Sequence, residues 1–413
     1  MGKETVVLDL GSALLKCGFA GESAPRHLLP SPLDGWSRQA TMQAWGREEW
    51  VQVLGPLVVR LLVHHLYVRP RDRKVIICEP LAGPTAFREA LAHVLFHWLK
   101  VPALLVVPSL TLPLYTAGAD GGLVVDIGFR ECHVLAVTFG IPLLHTYTAA
   151  GVGAATVLER AQELLRKEKG TGGEKDDLPL ATLQDVVTRA CFVPSRETNE
   201  RRVTKSIAYD EGSISLTFSP ELRSSLAEVL FDDNADDGAS LPVAVLECLK
   251  KCPRDVRRIV AGHVLVTGGV AMLPGLCRRL AEEVKHQAKV KTKYQELRPL
   301  MLRQLEKNPL PHSSPPNSSC PFNFSGLCVI RDSALLSPRN VLTWVGGSIL
   351  GVLVETAPHD SSPFVSRESY LAAAVDKQGR EKEEGRGGWS CFAPVLSEWL
   401  SVGDDLHMNE RRK

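Results

Sequence analysis

Apolar residues in this chain fall into short unbroken runs that stop at a carboxylate or a proline, separated by longer stretches in which they recur every three or four positions. Runs of the first kind read as buried strands, and stretches of the second kind as helices laid over them. Val6–Leu10 leads through Asp9 into Gly11-Ser12, and a second apolar segment then carries Lys16 and Gly18, which predicts a hairpin with a polar tip. Lys74–Glu79, stopped by Pro80, and Ala103–Val107 predict two further strands. Helical spacing predicts helices over Leu57–Tyr67, over Pro113–Ala117, and after Thr85, whose hydroxyl can cap a helix with Phe87, Leu91, Val94, Leu95 and Trp98 on one face.

The opening pattern then returns. Leu123-Val124-Val125-Asp126-Ile127-Gly128, followed by the strand-like Glu131–Phe139, echoes Val6–Leu10 and its partner, so the chain reads as two related α/β domains. Helices are predicted over Gly151–Arg166, Leu183–Cys191, Leu226–Phe231 and Pro242–Lys250, and a strand over Ser213–Phe218. A third strand, His263–Gly269, ends in two glycines, and Pro274-Gly275 opens an amphipathic helix to Val284. Arg298–Asn340 is rich in proline and predicts an exposed, disordered excursion, after which Trp344–Gly351 leads a glycine pair into a helix. From Asp376 the chain is charged and glycine-rich, and a poorly ordered tail over 376–413 is expected.

With 413 residues, 44% of them hydrophobic, the chain can bury more than one core. Its 48 basic and 47 acidic residues nearly cancel, which argues against nucleic acid as a partner. The most apolar window, Val101–Gly118, is broken by Pro102, Pro108 and Pro113, so no membrane insertion is expected, and the N-terminus shows no export or lipidation pattern. Ten cysteines at scattered spacings, none in a C-x-x-C pair, read as buried free thiols in a reducing compartment.

The chemistry sits at the turns. In the first hairpin Gly11 and Ser12 offer N–H groups and a hydroxyl to a phosphate, Lys16 a charge, and Asp9 a carboxylate for a hydrated cation. Glu89, His93 and His97 recur every four residues but lack a further ligand, so they read as a solvated helix face and no metal site is assigned. His64-His65 reads as structural and the basic Arg69–Lys74 turn as a solvated loop. Neither Gly-x-Ser-x-Gly nor a Walker P-loop occurs, and no catalytic set is found.

Two strand-Asp-x-Gly hairpins, a later Gly-Gly at a strand end and a final Trp-x-Gly-Gly-Ser-Ile, in this order, resemble the actin family of the actin, Hsp70 and sugar-kinase superfamily. Lys16–Glu22 with Ala24-Pro25-Arg26, and Met272-Leu273-Pro274-Gly275, carry that family's spacing and residue types, and the resemblance runs from about Val6 to Tyr370. It implies an actin-like ATPase-domain fold: two related α/β domains around a nucleotide cleft, with a reduced small subdomain at the pointed end. The first domain would be 1–118, with the reduced subdomain at about 31–69, completed by about 341–375. The second would be 119–340, with a small subdomain at about 181–254 and the Pro-rich insertion at about 298–340.

By the same resemblance Asp9, Gly11, Ser12 and Lys16 form a first phosphate loop, Asp126 and Gly128 a second, and Gly268, Gly269 and Met272 line a nucleotide, ATP or ADP with Mg²⁺. The departures from the family point away from catalysis. Ser109 replaces a water-positioning Gln, Phe129 and Arg130 replace an Asp-Gly pair, and Val187 and Thr188 replace a Lys-Glu pair that contacts the nucleoside. Between Pro30-Ser31 and Lys74 the chain is too short for a full subdomain with the loop that reaches the next subunit at the pointed end.

Arg69–Arg73, Phe87-Arg88-Glu89, Cys191-Phe192-Val193 and Cys252-Pro253 further resemble the pointed-end actin-related subunits of the dynactin complex. That implies a non-enzymatic, cytoplasmic, cytoskeletal subunit whose partners are actin-related filament subunits, other pointed-end subunits and, indirectly, dynein. The alternatives on the same fold are an active ATPase or small-molecule kinase and a nuclear chromatin-remodelling subunit.

Overall fold

The computed structural model describes residues 5–32, 45–169, 178–196, 206–211, 214–233, 240–302, 337–356 and 362–380. The chain divides into two compact units, Met1–Thr116 with Thr343–Lys413, and Ala117–Leu342.

The first unit is built on a six-stranded sheet. The predicted opening hairpin is present as β1 (Val6–Leu10) and β2 (Leu14–Phe19), antiparallel with Asp9 opposite Lys16, and β3 (His27–Pro30) adds to the edge of β2. On the other side of β1 lie β4 (Val75–Glu79) and then β5 (Ala103–Pro108), β4 parallel to β1 and β5 parallel to β4, with the antiparallel two-residue strand Val365–Ser366 at the far edge. Every residue of β1 and β4 is buried, as a strand covered on both faces requires. Trp344, in the helix Leu342–Thr356, is fully buried and donates its Nε1 proton to the Val7 carbonyl at 3.0 Å.

Between β3 and β4 the described chain holds the helix Arg47–Val59, a π-helical turn Arg60–His65 and the short 3₁₀ turn Pro70–Asp72. The second helix of this unit ends in the same way: Thr85–His93 runs into a π turn, Val94–Trp98. Both turns close on a left-handed residue, Tyr67 (φ 53°) and Lys100 (φ 55°). They share a hydrogen-bond pattern, Leu66 N to Leu61 O with Val68 N to Leu62 O, and Leu99 N to Val94 O with Val101 N to Leu95 O, all 3.0 Å.

Two expectations change here. Thr85 does not cap its helix; it is the first helical residue, Pro84 occupies the cap position, and no side chain accepts there. Trp98 is half exposed, because the wide turn takes it off the buried face that holds Phe87, Leu91, Val94 and Leu95, and it lies against Gly55.

The second unit repeats the arrangement. β6 (Gly122–Ile127) and β7 (Cys132–Thr138) form an antiparallel hairpin, and the short strands β8 (Ile141–Pro142) and β9 (Thr148–Ala150) pair with the outer edge of β7. A two-stranded hairpin, β10 (Ile207–Glu211) and β11 (Ile214–Phe218), stands apart from this sheet; the sequence pattern reveals its second strand only. β12 (Val264–Thr267) lies parallel to β6, as β4 does to β1. The helix predicted at Leu226–Phe231 lies earlier, at Pro220–Ser225, because Ser219 accepts from Leu222 N at 3.1 Å and Pro220 starts the first turn; only a 3₁₀ turn, Glu228–Leu230, follows.

The stretch Arg298–Asn340 is not an exposed excursion at either end. Arg298–Leu302 is helical, and Arg339, 3% exposed, donates to the Val266 carbonyl at 2.7 Å while its own carbonyl accepts from Thr267 Oγ1 at 2.8 Å. Residues 303–336 lie outside the described residues. Helix Arg367–Arg380 runs past Asp376, where a poorly ordered tail is expected from the sequence, and the rest of that stretch, 381–413, lies outside the described residues.

Candidate functional site

Each unit carries its own share of the predicted site residues. In the first, the carboxyl ends of the parallel strands β1, β4 and β5 bring Asp9, Glu79 and Ser109 to one edge of the sheet, where ligands of α/β proteins bind. Asp9 is 8% exposed, and its Oδ2 accepts from Lys16 Nζ at 2.6 Å. Gly11 turns so tightly that a β-carbon there would stand 2.7 Å from the Leu14 carbonyl oxygen, so the tip keeps its backbone open beside Ser12.

Beside this pair lies a second buried one that the sequence reading missed. Glu79, at the end of β4, accepts from Arg88 Nε at 2.6 Å, with the two side chains 8% and 13% exposed. Burial raises the Glu79 carboxyl above its ordinary range, and the Arg88 guanidinium opposes that rise. The Glu79 carbonyl accepts the Ser109 amide at 2.7 Å, which fixes the loop where the family's Gln is replaced. The signal for this pair was a lone glutamate closing an apolar strand, with an arginine one turn into the next helix.

In the second unit Asp126 stands opposite His133 on β7 and Thr267 on β12. His133 takes the place that Lys16 has in the first hairpin, and it is held by the Tyr147 hydroxyl at 2.7 Å. Gly268 follows β12 at φ 99°, and a β-carbon there would lie 2.9 Å from Asp126 Oδ1 and fall onto the Ile127 carbonyl. Only glycine fits this crossing. Its amide donates to the Arg339 carbonyl at 3.2 Å. The structure thus brings Gly268 against Asp126, whereas Met272 is half exposed after a 3₁₀ turn whose Gly269 carbonyl accepts its amide.

The tip of this second hairpin is occupied by protein. The Gly128 and Phe129 carbonyls accept the Ala154 and Ala155 amides at 3.1 and 2.6 Å, so they fill the positive end of helix Ala154–Lys169. The Phe129 ring packs on the core of this unit, with the Arg130 guanidinium 5.8 Å from its centroid. Val187 is buried in that core as well, and Thr188 bonds the Gln184 carbonyl of its own helix at 2.7 Å. In the first unit the tight Gly11 turn and Lys16 suit the phosphate side of the implied nucleotide, whereas in the second unit Phe129 and the hairpin-tip carbonyls offer nothing to its cation. Of the carboxylates at the strand ends of the first unit, Asp9 is shared with Lys16 and Glu79 with Arg88.

Among the described residues no group of three or more His, Cys, Asp or Glu could hold a metal ion, and no helix is long and apolar enough to cross a membrane. His93 and His97 instead stack on each other, with ring centroids 4.6 Å apart. The described cysteines are free, six of them buried and Cys277 partly so.

Paired hairpins on parallel-flanked sheets, with a glycine crossing after β12, define an actin-type α/β protein. The sequence model of the actin family matches residues 48–174 and 181–371, and the chain belongs to that family. Among its relatives, Actin-related protein 10 of Dictyostelium discoideum is 24% identical over 444 aligned residues, covering 90% of this chain and 86% of the relative.

Proposed function

We propose that this chain is a non-catalytic structural subunit of the dynactin complex, set at the pointed end of its actin-related filament in the cytoplasm, where it stops growth and seats neighbouring pointed-end subunits for dynein-based microtubule transport. ATP or ADP with Mg²⁺ is held to stiffen the protein and is not turned over. The observation that carries this reading is the second hairpin, whose Phe129 packs against the core and whose tip carbonyls accept the first amides of a helix. Hydrolysis needs water and charge placed to a fraction of an ångström, and Phe129, Arg130 and Ser109 remove the groups that do so in the family. The connection between β3 and β4, whose described part is a single helical run with short turns, supports the loss of pointed-end contacts.

Two measurements test it. The purified chain should co-purify saturably with the filament subunits of dynactin, and it should release no phosphate from ATP above an Asp9→Ala control. A chain that binds none of those subunits overturns the structural role; phosphate release well above the control makes it an ATPase.

A further inference from the structure

A cleft of about 810 Å³ opens in the unit Ala117–Leu342 between helices Ala154–Lys169 and Leu276–Val290 and the segment Ser225–Asp233. Its lining shares no residue with either hairpin tip or with the Gly268–Met272 turn. The floor is polar and buried. Arg279 donates to Glu283 at 2.9 Å and to both oxygens of Glu228 at 3.2 and 3.1 Å, and its guanidinium lies over the Phe231 ring. Arg196 reaches across from the segment before it and donates to both Glu283 oxygens at 2.9 and 2.8 Å.

Among the described residues, acceptors outnumber donors in this cleft. Of its permanent cations, Arg160 is paired with Glu163, Arg196 and Arg279 with Glu283, and Lys291 with Asp233. Leaving aside Asp232, which has a partner of its own, five described carboxylates line it against those four cations, an excess of one negative charge. Glu159, exposed on the wall, makes no ion pair or hydrogen bond with a described residue. Gln287, 6% exposed, turns its Nε2 to Asp233 at 3.3 and 3.2 Å, and its buried Oε1 meets no donor among the described residues. An anion would find every guanidinium engaged, whereas a cation rich in N–H groups would meet the exposed Glu159 carboxylate, with the unpartnered Gln287 Oε1 in the lining behind it.

We propose that this cleft binds arginine or lysine side chains presented by a basic segment of a partner protein. Its volume lies in the range of pockets that enclose a drug-sized ligand, which suits several side chains of an extended segment better than one small ion. The proposal stands independently of the dynactin reading, because it rests on the charge balance of one unit alone.

The test is fluorescence anisotropy with the full chain and a labelled peptide of alternating glycine and arginine, at moderate salt, with spermidine as a second probe. A saturable, single-site rise is expected. Glu159→Gln, on an exposed position that does not disturb folding, should weaken it about fivefold, the scale of one partly exposed charge pair. Gln287→Met should weaken it further, with the melting temperature followed in parallel. Glu221→Gln, the same charge change outside the cleft, should leave it unaltered. Binding that does not saturate, or that falls equally in Glu159→Gln and Glu221→Gln, overturns the proposal. Spermidine binding that depends on Glu159 while the peptide fails would assign the cleft to a free polyamine and also overturn it.

Discussion

Asp9 and Lys16 are locked together at the strand end, and that pairing makes each a liability without the other. Replacing Lys16 by methionine leaves the Asp9 carboxylate buried and uncompensated, a change that costs about 3–5 kcal/mol in measured ion pairs. Urea unfolding of Lys16→Met should show a loss of that order, and Asp9→Asn added to Lys16→Met should recover most of it. If the single and double variants are equally unstable, the pair is not what fixes the tip. The two glycines after β12 give a sharper contrast. Gly268→Ala meets both the φ of 99° and the Ile127 carbonyl, and should cost well over about 1 kcal/mol. Gly269→Ala faces open space and should be close to neutral. Thermal melts of the two variants side by side decide whether the crossing is as tight as the backbone indicates.

At the scale of elements, the segment Ser195–Arg196 is tied to helix Leu276–Val290 through Glu282. Its carboxylate accepts from Ser195 Oγ at 2.7 and 2.8 Å, from the Arg196 amide at 2.7 Å and from Arg278 at 2.8 Å. Burial alone would raise Glu282, but these donors outweigh it and hold the carboxyl below its ordinary range. A carboxyl depressed in the folded state stabilises above its unfolded value, and that stability is lost as the pH falls through the folded one. Glu282→Gln should therefore lower stability at pH 7 by about 1.5 kcal/mol, the scale of hydrogen bonds to a charged group, and flatten the acid limb of the stability curve. Equal acid sensitivity in both proteins would show that Glu282 is not part of it. The elements differ in how far the sequence announces them. β1, β4 and β6 were legible because a strand buried on both faces leaves an unbroken apolar run, and Asp9 and Asp126 were legible because they end such runs. The π turns were not, since one extra residue per turn barely shifts an apolar period near 3.6. β10 escaped because Ile207–Glu211 carries no apolar run, and Arg339 because its proline-rich surroundings look like solvent. The strand-end positions of Asp9, Asp126 and Gly268 could be read from the turn residues around them. The Glu79–Arg88 pair and the packing of Phe129 against the core could not, because they depend on tertiary neighbours.

Among the described residues each unit holds a hydrophobic core of its own. All seven tryptophans, Trp36, Trp45, Trp50, Trp98, Trp344, Trp389 and Trp399, fall in the sequence ranges of the first unit, and none in Ala117–Leu342. Trp50 and Trp344 are fully buried there, Trp50 edge-on to Phe87 and Trp344 bonded to β1. Fluorescence of the four described tryptophans, Trp45, Trp50, Trp98 and Trp344, therefore follows the first unit, while far-ultraviolet circular dichroism follows both. Two cores that unfold independently give transitions that do not coincide when seen by two such probes. In nucleotide-free protein the fluorescence midpoint in urea should differ from the circular dichroism midpoint. A ligand that binds only when both units are folded stabilises each by mass action, so saturating ADP with Mg²⁺ should draw the two curves together and raise both midpoints. Asp9→Ala should abolish that convergence without abolishing the separation. If nucleotide moves one transition and leaves the other in place, it binds a single unit, and its proposed stiffening role fails even if the chain still joins its filament.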